Sequence, residues 1–289
     1  MRIANVWTVA AAAVAVLAGC GGGGGEAAST AATAFSASVP VASSSKAPQW
    51  VPSRNDTWQW QLSGSINTSY PAQVYDIDLF DAPQATINHL KAQGHRVICY
   101  FSAGSAENWR PDYKQFASSD KGNNLAGWAG ERWLDTRSAN VRNIMQARLA
   151  LAVSKGCDGI EPDNVDGYTN KPGFPLNSAT QADYNLFIAN AAHARGLAVA
   201  LKNDLEQIDK LGASFDFAIN EQCHELDECD GYDAFLASGK AVFNAEYAKS
   251  YVKNTRGARD ALCRSAKAAQ MRTLVLPEAL DDSFRFSCD

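Results

Sequence analysis

Eight apolar runs of strand length recur along the chain, and stretches with helical periodicity separate them. Two of these stretches, "NVRNIMQARLALAVSKG" and "TQADYNLFIANAAHARG", end in the glycine that helices favour just past their last turn. Strands that are apolar on both faces and separated by helices indicate a parallel sheet, and eight such units predict a closed (β/α)8 barrel, the TIM-barrel fold. The runs are "VYDIDLF" (74–80), "HRVICYFS" (95–102), "RWLDT" (132–136), "GIEPDN" (159–164), "LAVALKN" (197–203), "FDFAINE" (215–221), "AVFNAEY" (241–247) and "TLVLPEA" (273–279).

A ninth strand candidate, "WQWQLSG" (58–64), leaves the choice of strands open. It is either a lid over the barrel or the true first strand, in which case "RWLDT" belongs to a loop. Either choice gives eight barrel strands. An open doubly wound sheet is the alternative architecture, but the sequence has no glycine-rich strand-to-helix turn that would bind a nucleotide.

The first 48 residues indicate export and attachment rather than a folded domain. Residues 1–19 carry one arginine, an alanine and valine run, and the start of "LAGC", which resembles a bacterial lipoprotein signal that makes Cys20 the lipid anchor. An ordinary cleaved signal is the alternative. Residues 20–48 are rich in Gly, Ala and Ser and predict a flexible tether. Residues 49–289 then suit a single (β/α)8 domain.

Charge and composition limit the partners of the chain. The formal net charge is -5 and no basic run stands out, so we expect no nucleic-acid partner. Gly21 follows Cys20 in place of the aspartate that would indicate inner-membrane retention. We therefore expect an exported monomer that is held at the outer membrane or cell surface, in contact with the membrane only through its lipid anchor.

Six cysteines follow Cys20, and an even number in an exported chain predicts disulfides. Cys223 with Cys229 would close a short loop, and Cys263 with Cys288 would fix the C-terminus. The sequence alone leaves the connectivity open, and the alternative for Cys99 is a buried free thiol. The sequence shows neither a CxxC pair nor paired histidines, so we expect no metal site and no cofactor.

Polar residues cluster where the predicted strands end, which in a (β/α)8 barrel is the active-site face. We call these carboxyl-terminal strand ends the mouth. Side chains two apart share a face, so Asp76 and Asp78 point the same way, as do Glu161 and Asp163. Pro162 cannot donate to a ladder, so regular pairing should end near Glu161 and leave Asp163 on the rim. The other strand ends supply Lys202, Asn203, Asn220, Glu221, Asn244 and Glu246.

So many inward-facing acids need an explanation, because an unpaired buried carboxylate is strongly destabilising. They must face a wet pocket, pair with Lys202, or bind a polar ligand. Two carboxylates beside a groove lined by aromatic rings form the arrangement of a glycosidase. Aldolases and metal-dependent lyases also place acids at barrel mouths, so composition leaves these classes open.

Long motifs of the sequence resemble glycoside hydrolase family 114, the endo-α-1,4-polygalactosaminidases. They are "WQWQLSG", "VYDIDLFD", "VICYFSAGSAENWRPD", "GERWLD", "GCDGIEPDNVDGY", "LKND", "FAINEQC" and "KAVFNAEY". The resemblance covers nearly all of residues 55–280. It implies a (β/α)8 barrel that cleaves inside galactosamine-containing polysaccharides by a retaining route. The paired carboxylates of the family fall in "EPDN" and "NEQ", which here are Asp163 and Glu221.

The expected substrate fits an acidic mouth, because de-acetylated galactosamine carries an ammonium group near neutral pH. Aromatic rings would stack on sugars and give cation–π contacts to the amine. Each residue also has a structural alternative, such as a cap, an ion pair with Lys202, or packing in the case of the tryptophans. The predicted substrate contacts are Asp76, Asp78, Tyr100, Trp109, Glu161, Asn164, Lys202, Asn203, Asn220, Glu246 and Trp60.

Two other functions compete with a glycosidase. The first is a non-catalytic polysaccharide-binding lipoprotein on the same barrel, which the presence of both Asp163 and Glu221 disfavours. The second is a barrel enzyme of different chemistry, such as a metal-dependent deacetylase, which chelation would inactivate.

Overall fold

The structure, a computed structural model, describes residues 47–289. The predicted signal at 1–19, Cys20 and nearly all of the predicted tether at 20–48 lie outside the described residues. Within the described range, no helix has the length and hydropathy needed to span a membrane. The strands are β1 (Trp58–Gln61), β2 (Val74–Asp78), β3 (Arg96–Ser102), β4 (Ser105–Glu107), β5 (Lys121–Asn124), β6 (Glu131–Leu134), β7 (Gly159–Asp163), β8 (Ala198–Lys202), β9 (Phe217–Glu221), β10 (Val242–Glu246), β11 (Arg272–Val275) and β12 (Phe286–Ser287). The α-helices are α1 (Gln84–Ala92), α2 (Ala139–Lys155), α3 (Ser178–His193), α4 (Ile208–Leu211), α5 (Asp233–Ala237), α6 (Lys249–Val252) and α7 (Ala258–Ala269).

Eight parallel strands form the main sheet in the order β1-β2-β3-β7-β8-β9-β10-β11, with β12 antiparallel beside β11. Polar contacts link the first strand to the end of the chain. The indole N–H of Trp58 donates to the Arg272 carbonyl at 2.9 Å, and the Arg285 guanidinium donates to the Trp58 carbonyl at 2.9 Å. The fold is therefore the predicted (β/α)8 barrel.

The choice between the two strand candidates is settled by the sheet order. "WQWQ" is β1, the first barrel strand, and pairs in parallel with β2. The prediction that "RWLDT" is a barrel strand is wrong, because Arg132, Trp133 and Leu134 lie in β6. That strand pairs antiparallel with β4 and β5 in a separate sheet. We call β4, β5 and β6 the inserted sheet, since it lies between barrel strand β3 and helix α2.

Pro162 ends strand pairing on one side of β7 only. Pairing with β8 stops at Ile160, opposite Val199, whereas pairing with β3 continues to Asp163. The Asp163 carbonyl accepts from the Ala103 and Gly104 N–H groups, which directly follow β3, so the backbone groups of Asp163 face β3. Along a strand, the backbone groups of successive residues face opposite neighbouring strands. The missing N–H of Pro162 therefore faces β8. The predicted end of regular pairing near Glu161 holds on that side alone.

Three disulfides link the described cysteines, and two of them are the predicted pairs Cys223–Cys229 and Cys263–Cys288. Cys99 is not a free thiol. It pairs with Cys157, whose Cα lies 6.0 Å away because Cys157 precedes β7 and β7 is the neighbour of β3. This bridge spans 58 residues of sequence, and such long loops gain most from closure.

The lower part of the barrel interior is apolar and the upper part is polar. Trp58 and Trp60 are both buried in the lower layer, where the Trp58 ring stacks on Phe243 at 4.9 Å. The packing alternative therefore holds for Trp58. Trp60 lies at the boundary, because the Lys202 ammonium is 4.7 Å from its ring centre. The polar layer above it contains the candidate site.

Candidate active site

Three neighbouring barrel strands end with the same backbone turn. Asn164, Asn203 and Gln222 directly follow β7, β8 and β9 and have positive φ angles of 59°, 48° and 65°. A left-handed backbone is unfavourable for residues other than glycine, so the fold maintains this conformation against a local cost. Each turn directs the chain away from the sheet. The last side chain of each strand is thereby left at one shared edge of the mouth.

Lys202 lies between three of these carboxylates and is itself almost fully buried. Its Nζ is 2.7 Å from Glu161 Oε1, 3.4 Å from Asp163 Oδ1 and 3.3 Å from Glu221 Oε2. Burial alone would lower the pKa of Lys202, but the three carboxylates raise it well above its usual value. Lys202 therefore remains a cation and bridges the two carboxylates predicted to be catalytic.

Two tyrosines hold the same pair of carboxylates from the other side. The Tyr100 hydroxyl donates to Asp163 Oδ2 at 3.0 Å, and the Tyr247 hydroxyl donates to Glu221 Oε1 at 2.5 Å. Burial, followed by the nearby acids, raises the pKa of both tyrosines, so both remain neutral donors. Each carboxylate is thus held between a tyrosine and Lys202. These contacts fix the orientation of the Asp163 and Glu221 carboxylates at the mouth.

Exposure separates the predicted site residues into two layers. The side chains of Asp163 and Glu221 are 19% and 29% exposed, so a ligand reaches them directly. Tyr100, Asn164 and Asn203 are half-buried beside them. The predicted contacts that lie in the buried layer beneath are Trp60, Asp76, Glu161, Lys202, Asn220 and Glu246. We therefore no longer expect Asp76, Glu161 or Glu246, which have no exposed surface, to touch substrate directly.

Asp76 and Glu161 are buried carboxyl groups of the polar layer, and we expect one proton to be shared between them. No donor from the described chain reaches either oxygen of Asp76 or the second oxygen of Glu161. Two ionised carboxylates are unstable in one buried site, so a proton between them satisfies both. Burial, and then the neighbouring Glu161, raises the pKa of Asp76 well above its usual value, while burial raises that of Glu161 to about 7. In this arrangement the proton neutralises one acid, and Lys202, 2.7 Å from Glu161 Oε1, balances the charge of the other.

Asp78, predicted to contact substrate, lies in a buried ion-pair cluster with Arg110. The Arg110 guanidinium donates to both of its oxygens, at 2.9 and 2.5 Å, and also to Glu107 at 2.8 Å. All three side chains are buried. This ion-pair cluster fastens the end of β2 to the inserted sheet and leaves neither oxygen of Asp78 without a partner.

The buried amides and Glu246 position the loop that follows Glu221. Glu246 Oε1 accepts from the His224 backbone N–H at 2.8 Å, and Asn220 Oδ1 accepts from the Cys223 N–H at 3.0 Å. The Cys223–Cys229 disulfide closes the same loop. Asn203 Oδ1 accepts from the Glu221 N–H at 3.0 Å. These contacts hold Glu221 and the loop that follows it in place.

The family model for glycoside hydrolase family GH114 matches residues 40–289. The chain belongs to this family. It is 42% identical to Ega3 of Aspergillus fumigatus, whose crystal structure contains galactosamine, with a TM-score of 0.80 and coverage of 84% of this chain and 99% of that one. This member of family GH114 is therefore a glycosidase.

Two more distant relatives match most of the enzyme. The glycoside hydrolase domain of PelA from Pseudomonas aeruginosa is 15% identical, with a TM-score of 0.62, and the match covers 78% of this chain and 96% of that one. At this identity the likeness shows the fold alone. An uncharacterised protein of Deinococcus radiodurans is 26% identical over 282 residues, which is 84% of this chain and 87% of the relative.

Two acids near the site, Asp166 and Glu131, are not among the predicted site residues. Burial and then the charge of Asp163 raise the pKa of Asp166 to about 6. Glu131 of the inserted sheet accepts from the Ser105 hydroxyl at 2.6 Å, and its pKa is raised to about 7, mainly by burial. The signals were present, since Asp166 ends the acidic stretch "EPDNVD" and Glu131 lies in "GERWLD". Asp158, three residues before this stretch, forms an ion pair with Lys91 at 2.9 Å.

One group of side chains in the described part of the enzyme has the composition of a metal site. Cys223, His224 and Cys229 place their ligand atoms within 4.8 Å of one another. The disulfide joins both sulfurs, and metal binding by cysteine needs the free thiolate. In its oxidised form this group therefore serves to close the loop after Glu221.

The proton shared with Glu161 predicts an unusual tolerance at Asp76. Asparagine is a neutral donor of the same shape, so Asp76→Asn should keep kcat/KM at pH 7 within about threefold. Asp76→Ala leaves the buried Glu161 oxygen without a donor and should lower the free energy of unfolding by about 1–3 kcal/mol. Urea unfolding and initial rates of both variants measure this. If Asp76→Asn is as inactive as Asp76→Ala, Asp76 acts as an anion and the shared proton is wrong.

The enzyme should lose stability as the pH rises from about 4.5 to about 7. Burial raises the pKa of Glu131 and Glu246 from 4.5 to about 7 in the folded chain. These groups keep their protons longer when folded, so they favour the folded state at low pH, and this advantage disappears as each ionises. We expect Tm at pH 8 to lie at least about 2–4 °C below Tm at pH 5.

Glu131→Gln is the matched control for this pH dependence, because glutamine still accepts from Ser105 but does not titrate. Its Tm should vary less between pH 5 and pH 8 than that of the unmodified enzyme. A Tm that rises across this range would show that these glutamates ionise normally in the folded chain.

Proposed function

We propose that the enzyme is an endo-acting, retaining glycosidase that hydrolyses α-1,4 linkages in galactosamine-containing polysaccharide. The observation that carries this proposal is the pair of partly exposed carboxylates, Asp163 and Glu221, bridged by Lys202 at the mouth. The substrate class is supported by the galactosamine bound to the relative that is 42% identical.

In the first step, Asp163 attacks the anomeric carbon while the glycosidic C–O bond breaks. The carboxyl group of Glu221 gives its proton to the departing oxygen, and a glycosyl ester forms on Asp163. The contact of Tyr100 with Asp163 Oδ2 and that of Lys202 with Asp163 Oδ1 fix the direction of the attacking carboxylate. Positioning of this kind lowers the entropic part of the barrier.

In the second step, a water molecule attacks the same carbon and releases Asp163. Glu221, now a carboxylate, takes a proton from that water, so the enzyme returns to its starting state and the product keeps the α configuration. Tyr247 donates to one oxygen of Glu221 and Lys202 lies near the other. Both contacts suit the ionised form that serves as base.

The spacing of the carboxylates supports retention over inversion. The facing oxygens of Asp163 and Glu221 both lie within 3.4 Å of one nitrogen, so they are separated by at most twice that distance. Retaining enzymes place their carboxyls about 5–5.5 Å apart, whereas inverting enzymes leave about 6.5–9.5 Å for a water. The upper limit for this pair of oxygens includes the retaining separation and reaches only the lower edge of the inverting range, which supports a retaining mechanism.

Product analysis on galactosamine polymers of graded acetylation tests the proposal. We expect oligosaccharides of several lengths from the start of the reaction, because an endo-acting enzyme cuts inside the chain. Proton NMR of the first product should show the α anomer before mutarotation. Monomer release alone would refute endo action, a β product would refute retention, and absence of cleavage would favour a polysaccharide-binding lipoprotein.

We propose that the enzyme is exported and attached to the outer membrane or cell surface through Cys20. The order of arginine, apolar run and "LAGC" supports this. Globomycin, which blocks lipoprotein signal cleavage, should leave an unprocessed precursor, and Cys20→Ser should abolish labelling with radioactive palmitate. Labelling that persists in Cys20→Ser would refute the anchor.

A further inference from the structure

Two tryptophans of the inserted sheet region are unusually exposed. Trp109 and Trp128 are 51% and 52% exposed, whereas the other four tryptophans of the described chain are buried or half-buried. Burial of an aromatic ring is favourable, and aromatic side chains carry much of the energy at binding surfaces. Two exposed indole rings in the inserted sheet region therefore form a candidate ligand-binding surface.

The two tryptophans lie at the same end of the inserted sheet. The Trp109 ring packs against Gly130, where a β-carbon would lie only 3.0 Å from ring atom Cζ3. Gly130 is two residues beyond Trp128, and its carbonyl accepts from the Asn108 N–H at 3.0 Å. The side chain of Asn108 is exposed beside Trp109. Aromatic faces with an amide group at their edge form a surface suited to sugars.

The backbone beneath Trp109 is firmly held. The next residue, Arg110, is buried and donates to both Asp78 and Glu107. The Arg110 N–H also donates to the Glu107 carbonyl at 3.1 Å. A ring on such a support loses little conformational entropy when a ligand covers it.

The inserted sheet is attached directly to the backbone of the proposed nucleophile. The Ala103 and Gly104 N–H groups donate to the Asp163 carbonyl at 2.8 and 3.0 Å. The Gly104 carbonyl accepts from the Leu134 N–H at 2.9 Å, at the end of β6. The inserted sheet therefore extends from the mouth face of the barrel, and the two tryptophans lie at its other end, beside Gly130.

We propose that Trp109 and Trp128 form a tryptophan platform that binds galactosamine units of the polymer outside the bond being cleaved. The inference rests on the proposed function and adds to it a second point of contact for the polysaccharide. Galactosamine rings stack on the indole faces, and their ammonium groups gain cation–π contacts. The net charge of -5 also favours a polycationic chain.

Binding and kinetics together test the tryptophan platform. In an Asp163→Asn background, Trp128→Ala and Trp109→Ala should each weaken binding of soluble polygalactosamine about fivefold in calorimetry. In the active enzyme, Trp128→Ala should raise the ratio of KM for the polymer to KM for a galactosamine trisaccharide by a similar factor. Val153→Ala, an exposed apolar truncation on α2, is the matched control and should change neither value.

Each other outcome overturns the platform. An equal rise in KM for polymer and trisaccharide would place Trp128 in the cleavage site itself. Unchanged polymer binding in both variants, with Tm values equal to that of the control, would show that the exposed rings bind no sugar. The unmodified enzyme is assayed first. If it cleaves no galactosamine polymer, the proposed function is wrong, and this result is independent of the tryptophan variants.

Discussion

Asp163→Asn is expected to lower kcat on a galactosamine polymer by a factor on the order of 10⁴ or more, because asparagine cannot form the glycosyl ester. The fold should persist. In the unmodified enzyme the Asn164 N–H donates to Asp163 Oδ1 at 2.8 Å, and the amide oxygen of an asparagine at position 163 can accept the same hydrogen bond. Lys202 retains its hydrogen bond to Glu161 Oε1 at 2.7 Å. We expect the free energy of unfolding to change by less than about 1 kcal/mol.

Asp166→Asn is the matched control for this loss. It removes one acid three residues further along the same loop and changes the charge near the mouth by the same amount. Its turnover should stay within about tenfold of the unmodified enzyme, since Asp166 acts on the site only through its charge. Turnover of Asp163→Asn near that of the unmodified enzyme would rule out Asp163 as the nucleophile, as would equal losses in the two variants.

The local pattern of apolar residues predicted the barrel, because most of its strands are apolar on both faces. The same pattern could not decide whether "WQWQLSG" or "RWLDT" is a barrel strand, because both contain several polar residues. In β1, the alternation of tryptophan and glutamine predicts that Gln59 and Gln61 lie on an exposed face, yet both side chains are buried. Gln59 accepts from Arg285, 226 residues further along the chain. A partner this remote leaves no trace in local periodicity. β6 also contains buried apolar residues, Trp133 and Leu134, and only its pairing shows that it belongs to another sheet.

The two acids of β2 show how far alternation carries a site prediction. Asp76 and Asp78 share a face, as the sequence indicates, but their partners come from different parts of the chain. Asp78 binds Arg110 from the inserted sheet region, and Asp76 meets Glu161 of β7. Alternation gives the direction of a side chain, whereas its partner depends on long-range pairing. One acid is thus an ion-pair anchor, whereas the pKa of the other is raised well above its usual value, mainly by burial.

Tyr247 escaped prediction for a related reason. It directly follows β10, whose last residue is Glu246. Inside a strand, neighbouring side chains point to opposite faces, so Glu246 at the mouth implies that Tyr247 points away. The strand ends between them, alternation stops there, and the Tyr247 hydroxyl reaches Glu221. Residues just past a strand end therefore need the structure before a role is assigned.

Glu221→Gln should separate the two chemical steps of the reaction. On the polymer, whose leaving oxygen needs a proton, we expect kcat to fall by about 10²–10⁴-fold. An aryl glycoside with a good leaving group needs no proton, so Asp163 still attacks it. The ester then persists because glutamine cannot deprotonate the incoming water. Mass spectrometry of the quenched protein should find one galactosamine residue on the peptide that contains Asp163.

Azide should restore turnover of the aryl glycoside in Glu221→Gln, since an anionic nucleophile needs no general base. The product should be the α-glycosyl azide, because azide enters on the face opposite Asp163. Tyr247→Phe is the matched control: it removes the hydroxyl that orients Glu221 but keeps the carboxyl, so azide should give it little gain. A β-glycosyl azide, or a labelled peptide other than the one with Asp163, would mean that the two carboxylates have different roles from those assigned.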